Sequence, residues 1–164
     1  MSTVWLGLGS NIGDRESRIA AAVDALAGFL DGLRTAPLYE TEARDFADQD
    51  DFLNTVVRGE TTLSPMELLA RTRQAESNGG RARGGIPKGP RTIDIDILLW
   101  DARIIRETSG GLDLIIPHGS MHERLFVLRP LLDLDPDAED PRDGIPWAVK
   151  ASRLESQRVM LYRI

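Results

Sequence analysis

The chain has no cysteine and only two histidines, His118 and His122. Without thiols there are no disulfides, zinc–thiolate sites, iron–sulfur clusters or cysteine nucleophile, a composition that fits a reducing cytoplasm. Two histidines do not suit a histidine-rich zinc site, so a metal here takes oxygen ligands, which points to magnesium or manganese. No apolar run approaches the roughly 18 residues that span a bilayer, and residues 1–10 lack the basic flank of a secretory signal. The expectation is a soluble, cytoplasmic protein with no membrane partner. Basic residues are also in deficit, 20 Lys and Arg against 26 Asp and Glu, for a net charge of −6. That balance argues against charge-driven binding to nucleic acid.

What is present suffices for one core. At 164 residues and 41% hydrophobic, with no repeat, low-complexity tract or linker, residues 1–164 read as a single domain. Residues 3–8 read as a buried strand ended by Gly9-Ser10-Asn11, and Asp14 caps a helix over 15–30 with apolar Ile19, Ala22, Val23, Leu26 and Leu30 on one face. Extended segments follow over 33–42 and 52–61. Ser64-Pro65 opens a second helix to about residue 77, ended by Gly79-Gly80. A Gly- and Arg-rich loop runs to Pro90, and residues 92–100 are the most strand-like of the chain. Adjacent strands in the middle favour an α+β sandwich, an antiparallel or mixed sheet with helices on its faces, over a doubly wound parallel sheet. The acidic run from Asp133 to Asp143, broken by Pro136 and Pro141, reads as a solvated surface loop.

Chemistry concentrates in Thr92-Ile93-Asp94-Ile95-Asp96-Ile97-Leu98. In a strand both aspartates share one face and the isoleucines take the other, which sets the carboxylates about 6.5–7 Å apart at their attachment points, within reach of one cation or two. Taken alone, such alternation more often marks an edge strand with a solvated acidic face. Here it directly follows Gly89-Pro90-Arg91, and Arg81 and Arg83 lie just upstream. Carboxylate-held magnesium with arginines neutralising phosphate oxygens is what a nucleotide-dependent phosphoryl-type transfer requires. Gly7-Leu8-Gly9-Ser10-Asn11-Ile12-Gly13 is spaced G-x-G-x-x-x-G, which matches neither a dinucleotide fingerprint nor a P-loop, and reads as a tight turn lining a site. His118 and Arg124 near a strand end suit hydrogen bonding to a polyphosphate. His122 is assigned to the surface.

Gly9-Ser10-Asn11, Phe52-Leu53-Asn54, Glu76 with Gly80-Arg81-x-Arg83, Gly89-Pro90-Arg91-x-x-Asp94-x-Asp96, and Pro117-His118 with Arg124 stand in an order and approximate spacing that resemble the 6-hydroxymethyl-7,8-dihydropterin pyrophosphokinase family of folate biosynthesis. The resemblance covers nearly the whole chain. It implies a ferredoxin-like α+β sandwich with a mostly antiparallel sheet, acting as a monomer on ATP and hydroxymethyldihydropterin. Pyrophosphate would pass from ATP to the pterin hydroxymethyl group, leaving AMP. By position, Asp94 and Asp96 would hold a pair of Mg2+ ions, and Arg81 and Arg91 would stabilise charge during transfer. Arg83, Ile97, His118 and Arg124 would contact ATP. Phe52 and Phe126 would sandwich the pterin, Asn54 would bond its edge, and Thr41 would offer backbone contacts. The chain departs from the family pattern at Lys88, where an aromatic residue usually precedes Gly-Pro-Arg, at Glu42, at Gly119, and in a longer stretch over 107–113. The Lys88 departure motivates a second reading, a non-catalytic pterin- or nucleotide-binding relative. A ferredoxin-like RNA-binding module is disfavoured by the acidic charge and the missing aromatic strand.

Overall fold

The computed structural model describes residues 1–42, 51–79 and 93–163. In chain order these form β1 (Ser2–Ser10), α1 (Arg15–Ala27), β2 (Asp31–Thr35), β3 (Leu38–Thr41), β4 (Phe52–Thr61), α2 (Pro65–Asn78), β5 (Asp94–Trp100), β6 (Ile105–Ser109), β7 (Leu112–Ile116), a 3-10 turn (Met121–Glu123), α3 (Leu125–Leu134), α4 (Trp147–Ser152) and β8 (Val159–Arg163). The main sheet runs β5-β1-β4-β3-β8, with β2 beside the far end of β4. All its pairings are antiparallel among the described residues. No helix among those residues is long and apolar enough to cross a membrane.

Alternation along the strands builds two apolar layers. On one face Val4, Leu6 and Leu8 of β1, Leu53 and Val57 of β4, and Ile95 and Ile97 of β5 meet Ile19 and Leu26 of α1 and Leu68 of α2. On the other, Val56 and Leu98 meet Leu125, Leu128 and Leu131 of α3 and Trp147 of α4. The sandwich expected from the element pattern is therefore the one formed, with helices on both faces.

Local chemistry sets the element ends. Asp14 accepts the Ser17 amide at 3.2 Å, and Ser64 and Glu67 close a reciprocal capping box at the start of α2, a device worth about 1 kcal/mol. Helix α1 stops at Ala27 rather than at residue 30 because Gly28 forms its C-cap, and glycine is a poor helix former. The extended segment over 33–42 divides into β2 and β3 at Ala36-Pro37, since proline cannot donate to a ladder. The β6–β7 hairpin turns at Gly110-Gly111, both at positive φ (56° and 80°), as a two-residue type I′ turn demands.

The acidic run over 133–143 lies at the surface, with Asp133, Asp137, Glu139 and Asp143 exposed, but several of its acids are engaged with the rest of the fold. Asp133 accepts the Tyr39 hydroxyl hydrogen bond. Asp135 accepts from Trp5 Nε1 and Arg58 Nη1, each at 2.6 Å. Asp140 is fully buried, with Arg142 at 2.7 Å and Lys150 at 2.6 Å, and Lys150 also reaches Asp143 at 2.7 Å. Composition could not foresee these pairings, because Trp5, Tyr39, Arg58 and Lys150 come from β1, β3, β4 and α4.

Asp140→Asn keeps the shape and leaves Arg142 and Lys150 short of a charge, so it should cost roughly 2–4 kcal/mol in urea unfolding at pH 7. Hydrogen bonds from Arg142 and Lys150 outweigh burial and hold the Asp140 carboxyl well below its ordinary 3.8. A folded-state value below the unfolded one gives stability that is present above about pH 4 and lost as pH falls toward the folded value. Urea midpoints measured between pH 6 and pH 2.5 should therefore fall more steeply for the wild type than for Asp140→Asn.

Candidate active site

Strand register places the site before any side chain is considered. Across the sheet Asp94 pairs with Gly9 and Gly9 with Asn54, while Asp96 pairs with Gly7 and Gly7 with Val56. Cross-strand partners share a face, so Asp94, Gly9 and Asn54 form one row on the α3 side and Asp96, Gly7 and Val56 the next. The aspartates thus share a face, as their alternation requires, while Ile93, Ile95 and Ile97 lie buried on the other. β5 is an edge strand, yet its acidic face is half-buried, because α3 and the segment leading into it lie above.

The two glycines are strand residues, not a turn. Neither has positive φ among the backbone angles described, so the reason for glycine is space. A Cβ on Gly9 would stand 3.0 Å from Asn54 Oδ1 and 3.9 Å from Phe52 Cδ1, and one on Gly7 would touch Leu98 at 3.5 Å. The bare backbone of β1 becomes the floor of a pocket whose walls are Asn54, Asp94, Asp96, Leu98, His118, Arg124, Phe126 and Val127. Once residues 2–10 are seen as one strand, glycine at alternate positions beside aspartate at alternate positions is the signal for this floor.

Each wall residue has its own support. Asn54 is buried and its Nδ2 donates to Thr41 Oγ1 at 3.0 Å, which orients the side-chain amide. Thr41 pairs with Phe52 across β3 and β4, so both belong to the same patch. Phe126 is shared with an adjoining pocket lined by Thr41, Glu42, Gln157, Arg158 and Val159. The Arg124 guanidinium lies 5.7 Å from the Phe126 ring centroid, within cation–π range. His118 is held by its backbone amide on Leu98 O at 3.0 Å, and its Nδ1 accepts the Ser120 amide at 3.2 Å. An accepting Nδ1 puts the proton of the neutral ring on Nε2. Burial is the main cause that lowers the His118 pKa below 6.5; Asp96 opposes it and Arg124 adds to it. At neutral pH His118 is an uncharged donor.

Glu76 anchors β5 from α2: its Oε2 accepts the amide of Ile95, the residue between the aspartates, at 2.9 Å, and Arg73 lies 3.2 Å from its Oε1. Arg71 stacks over Phe29 at 5.8 Å. Arg73 and Arg71 are thus engaged with Glu76 and Phe29. Arg81, Arg83, Lys88 and Arg91 lie outside the described residues. Ile97 is placed differently from the expectation: its side chain is packed in the α1/α2 core, so any ligand contact from it must come through the backbone. Among the described residues no group of three or more His, Cys, Asp or Glu side chains converges on a metal-sized site. Two carboxylates on one face do suit magnesium, which commonly takes one or two protein carboxylates and fills its octahedron with phosphate oxygens and water.

Comparison with known proteins agrees with this geometry. Residues 5–136 match the sequence profile of 7,8-dihydro-6-hydroxymethylpterin-pyrophosphokinase (HPPK). Over 141 residues the chain is 41% identical to the 2-amino-4-hydroxy-6-hydroxymethyldihydropteridine pyrophosphokinase of Aquifex aeolicus, covering 86% of this chain and 85% of that one. It is 41% identical over 161 residues to the folic acid synthesis protein fol1 of Schizosaccharomyces pombe, but spans only 21% of that protein. Among solved structures it superimposes on wild-type HPPK-DHPS of Plasmodium falciparum with a TM-score of 0.73 at 16% identity, over 95% of this chain and 44% of that one. At that identity the likeness speaks to fold alone, and it bears out the ferredoxin-like arrangement. A pocket that joins an aspartate pair to an aromatic and amide patch, on a chain that matches the family over most of its length, leads to one conclusion: the protein belongs to the HPPK family.

Proposed function

We propose that this chain transfers the pyrophosphoryl group of ATP to the hydroxymethyl oxygen of 6-hydroxymethyl-7,8-dihydropterin, giving AMP and the pterin diphosphate, with residues 1–164 as one catalytic domain acting as a monomer. The observation that carries the reading is the pocket over Gly7 and Gly9 with Asp94, Asp96, His118 and Arg124 in its walls, together with Phe126, which also lines the Thr41 pocket. A polyphosphate suits the first half and a flat, hydrogen-bonding heterocycle the second.

In this reading Asp94 and Asp96 hold two magnesium ions, which when bound neutralise phosphate charge and polarise the attacked phosphorus. The neutral His118 donates from Nε2, and Arg124 donates from its guanidinium, to phosphate oxygens. Asn54, oriented by Thr41, bonds the pterin edge, and Phe52 and Phe126 offer ring faces to it. The hydroxymethyl oxygen forms its bond to the β-phosphorus, the bond from that phosphorus to the α–β bridging oxygen breaks, AMP leaves with the electron pair, and the hydroxyl proton is released. Arg81 and Arg91 are assigned to charge stabilisation, and Arg83 to ATP binding, by family resemblance. Nothing in the pocket resembles a covalent nucleophile, so catalysis comes from positioning and electrostatics.

The test is chromatography of the protein incubated with magnesium, ATP and hydroxymethyldihydropterin. AMP and a pterin diphosphate should form together, and Asp96→Ala should lower turnover by at least about a thousandfold with an unchanged circular dichroism spectrum. Nucleotide binding without product would reject the transfer reaction and favour a binding role. A second variant probes the floor. Gly9→Ala stays within ordinary strand backbone, so its cost in stability should stay below roughly 2 kcal/mol. Its Cβ presses on Asn54, and the KM for the pterin should rise about tenfold or more while the KM for ATP changes little. Equal rises in both constants would assign Gly9 to general packing instead.

A further inference from the structure

The segment after α4 lies beyond the residues that match the family profile, yet one side chain in it reaches the site. Gln157 Oε1 accepts the Leu125 amide at 2.9 Å, and its Nε2 donates to the Glu123 carbonyl at 2.8 Å. Residues 123 and 125 flank Arg124, so one side-chain amide grips the main chain on both sides of the arginine. Arg124 is the N-cap of α3 and its own side chain makes no capping bond. The first amide of a helix has no partner within the helix, and here Gln157 supplies it from 32 residues away. Gln157 is itself fixed. Its backbone amide bonds Leu154 O at 2.9 Å, and two residues later Val159 pairs with Thr41. The side chain also shares a pocket wall with Phe126 and Thr41.

We propose that Gln157 is a positioning residue: by holding the main chain at Glu123 and Leu125 it aims the Arg124 guanidinium, and with it the Phe126 ring, into the pocket. This rests on the reading above that Arg124 engages nucleotide phosphate. The turn before Arg124 is only a three-residue 3-10 segment, closed by bonds from Glu123 N to Ser120 O and from Arg124 N to Met121 O, and Gln157 adds two further ties on either side of the arginine. A residue distant in sequence thereby governs the aim of a binding arginine without touching the ligand.

The experiment is a double-mutant cycle in the affinity of a non-hydrolysable ATP analogue with magnesium, measured by titration calorimetry, with melting temperature and turnover recorded in parallel. Gln157→Met keeps length and volume and removes both hydrogen bonds, and should weaken binding by roughly tenfold. If Gln157 acts through Arg124, the double variant should bind within about twofold of Arg124→Ala alone. Additive losses, or an unchanged affinity in Gln157→Met, would overturn the proposal, because a role in general stability shifts the melting temperature without coupling to Arg124. Should Gln157→Met fail to fold, Gln157→Glu keeps an acceptor for the Leu125 amide and loses the donor to Glu123. Its loss should be smaller than that of Arg124→Ala and should vanish in the Arg124→Ala background; persistence there would overturn the proposal. Wild type and Arg124→Ala binding the analogue equally would reject both the role of Arg124 and the clamp. A wild type that binds but does not transfer would reject the reaction alone, and the cycle would still decide Gln157.

Discussion

The antiparallel register that sets β1 between β5 and β4 is the constraint on which the site depends. It places Gly9 between Asp94 and Asn54, and Gly7 between Asp96 and Val56. Side chains opposite one another on neighbouring strands stand about 5 Å apart, and a Cβ on Gly9 would already press on the Asn54 amide at 3.0 Å. A slip by one residue would turn Asp94 and Asp96 toward the layer that holds Leu6, Leu26 and Trp100, and burying two unpaired carboxylates there would cost many kcal/mol. The hydrophobic pattern that drives folding therefore also fixes the face on which both carboxylates stand, through the period of two that β1 and β5 share.

Helix α3 supplies the roof, and it is tied down along its length. Its apolar face packs Leu125, Leu128 and Leu131 on the sheet, its start is gripped by Gln157, and its far end is held by Asp133 on Tyr39 and Asp135 on Trp5 and Arg58. Tyr39 is the ladder partner of Asn54 on β4, so the strand beside the buried amide of the site is bonded to the helix that carries Phe126. Burial and the neighbouring Asp133 carboxylate push the Tyr39 hydroxyl up to about 12, which keeps it a donor across the physiological range. Floor and roof are thus parts of one rigid frame, the arrangement that electrostatic catalysis by positioned groups requires.

Much of this was legible in the residues. Asp94-x-Asp96 within an isoleucine alternation gave both the strand and the shared face, and Ser64-Pro65 gave the start of α2, to which the structure adds the reciprocal bond from Glu67. Gly7 reads rightly within the strand and the glycine motif as lining a site, but Gly9 reads as a turn because glycine suggests one when its neighbours across the sheet are unknown; only pairing with β4 and β5 shows it to be a strand residue. The bonds made by the acidic run over 133–143 were hidden for a related reason. An aspartate followed by proline reads as loop, and nothing local reveals that Trp5, Tyr39, Arg58 and Lys150 will converge on it. Gln157 carries no local signal at all, since an amide side chain becomes a cap only through contacts made by folding. Arg81, Arg83 and Arg91 were legible only by resemblance, as they lie outside the described residues.

The same distinction explains how a protein of net charge −6 suits a polyphosphate. Net charge is a sum over the whole surface, whereas charges more than about 8 Å apart through solvent are largely screened at physiological salt. Here many acids are neutralised locally and away from the pocket: Asp140 by Arg142 and Lys150, Asp135 by Arg58, and Glu40 by Arg15 at 2.7 Å. The acids that line the pocket itself are Asp94 and Asp96, and a pair of divalent ions would more than offset them. Among the described lining residues His118 and Arg124 meet no carboxylate other than Asp94 and Asp96. In the proposed reading the field at the site is therefore set locally, by these side chains, by the arginines assigned to the phosphates and by the ions the aspartates would hold, and not by the net charge of the whole surface.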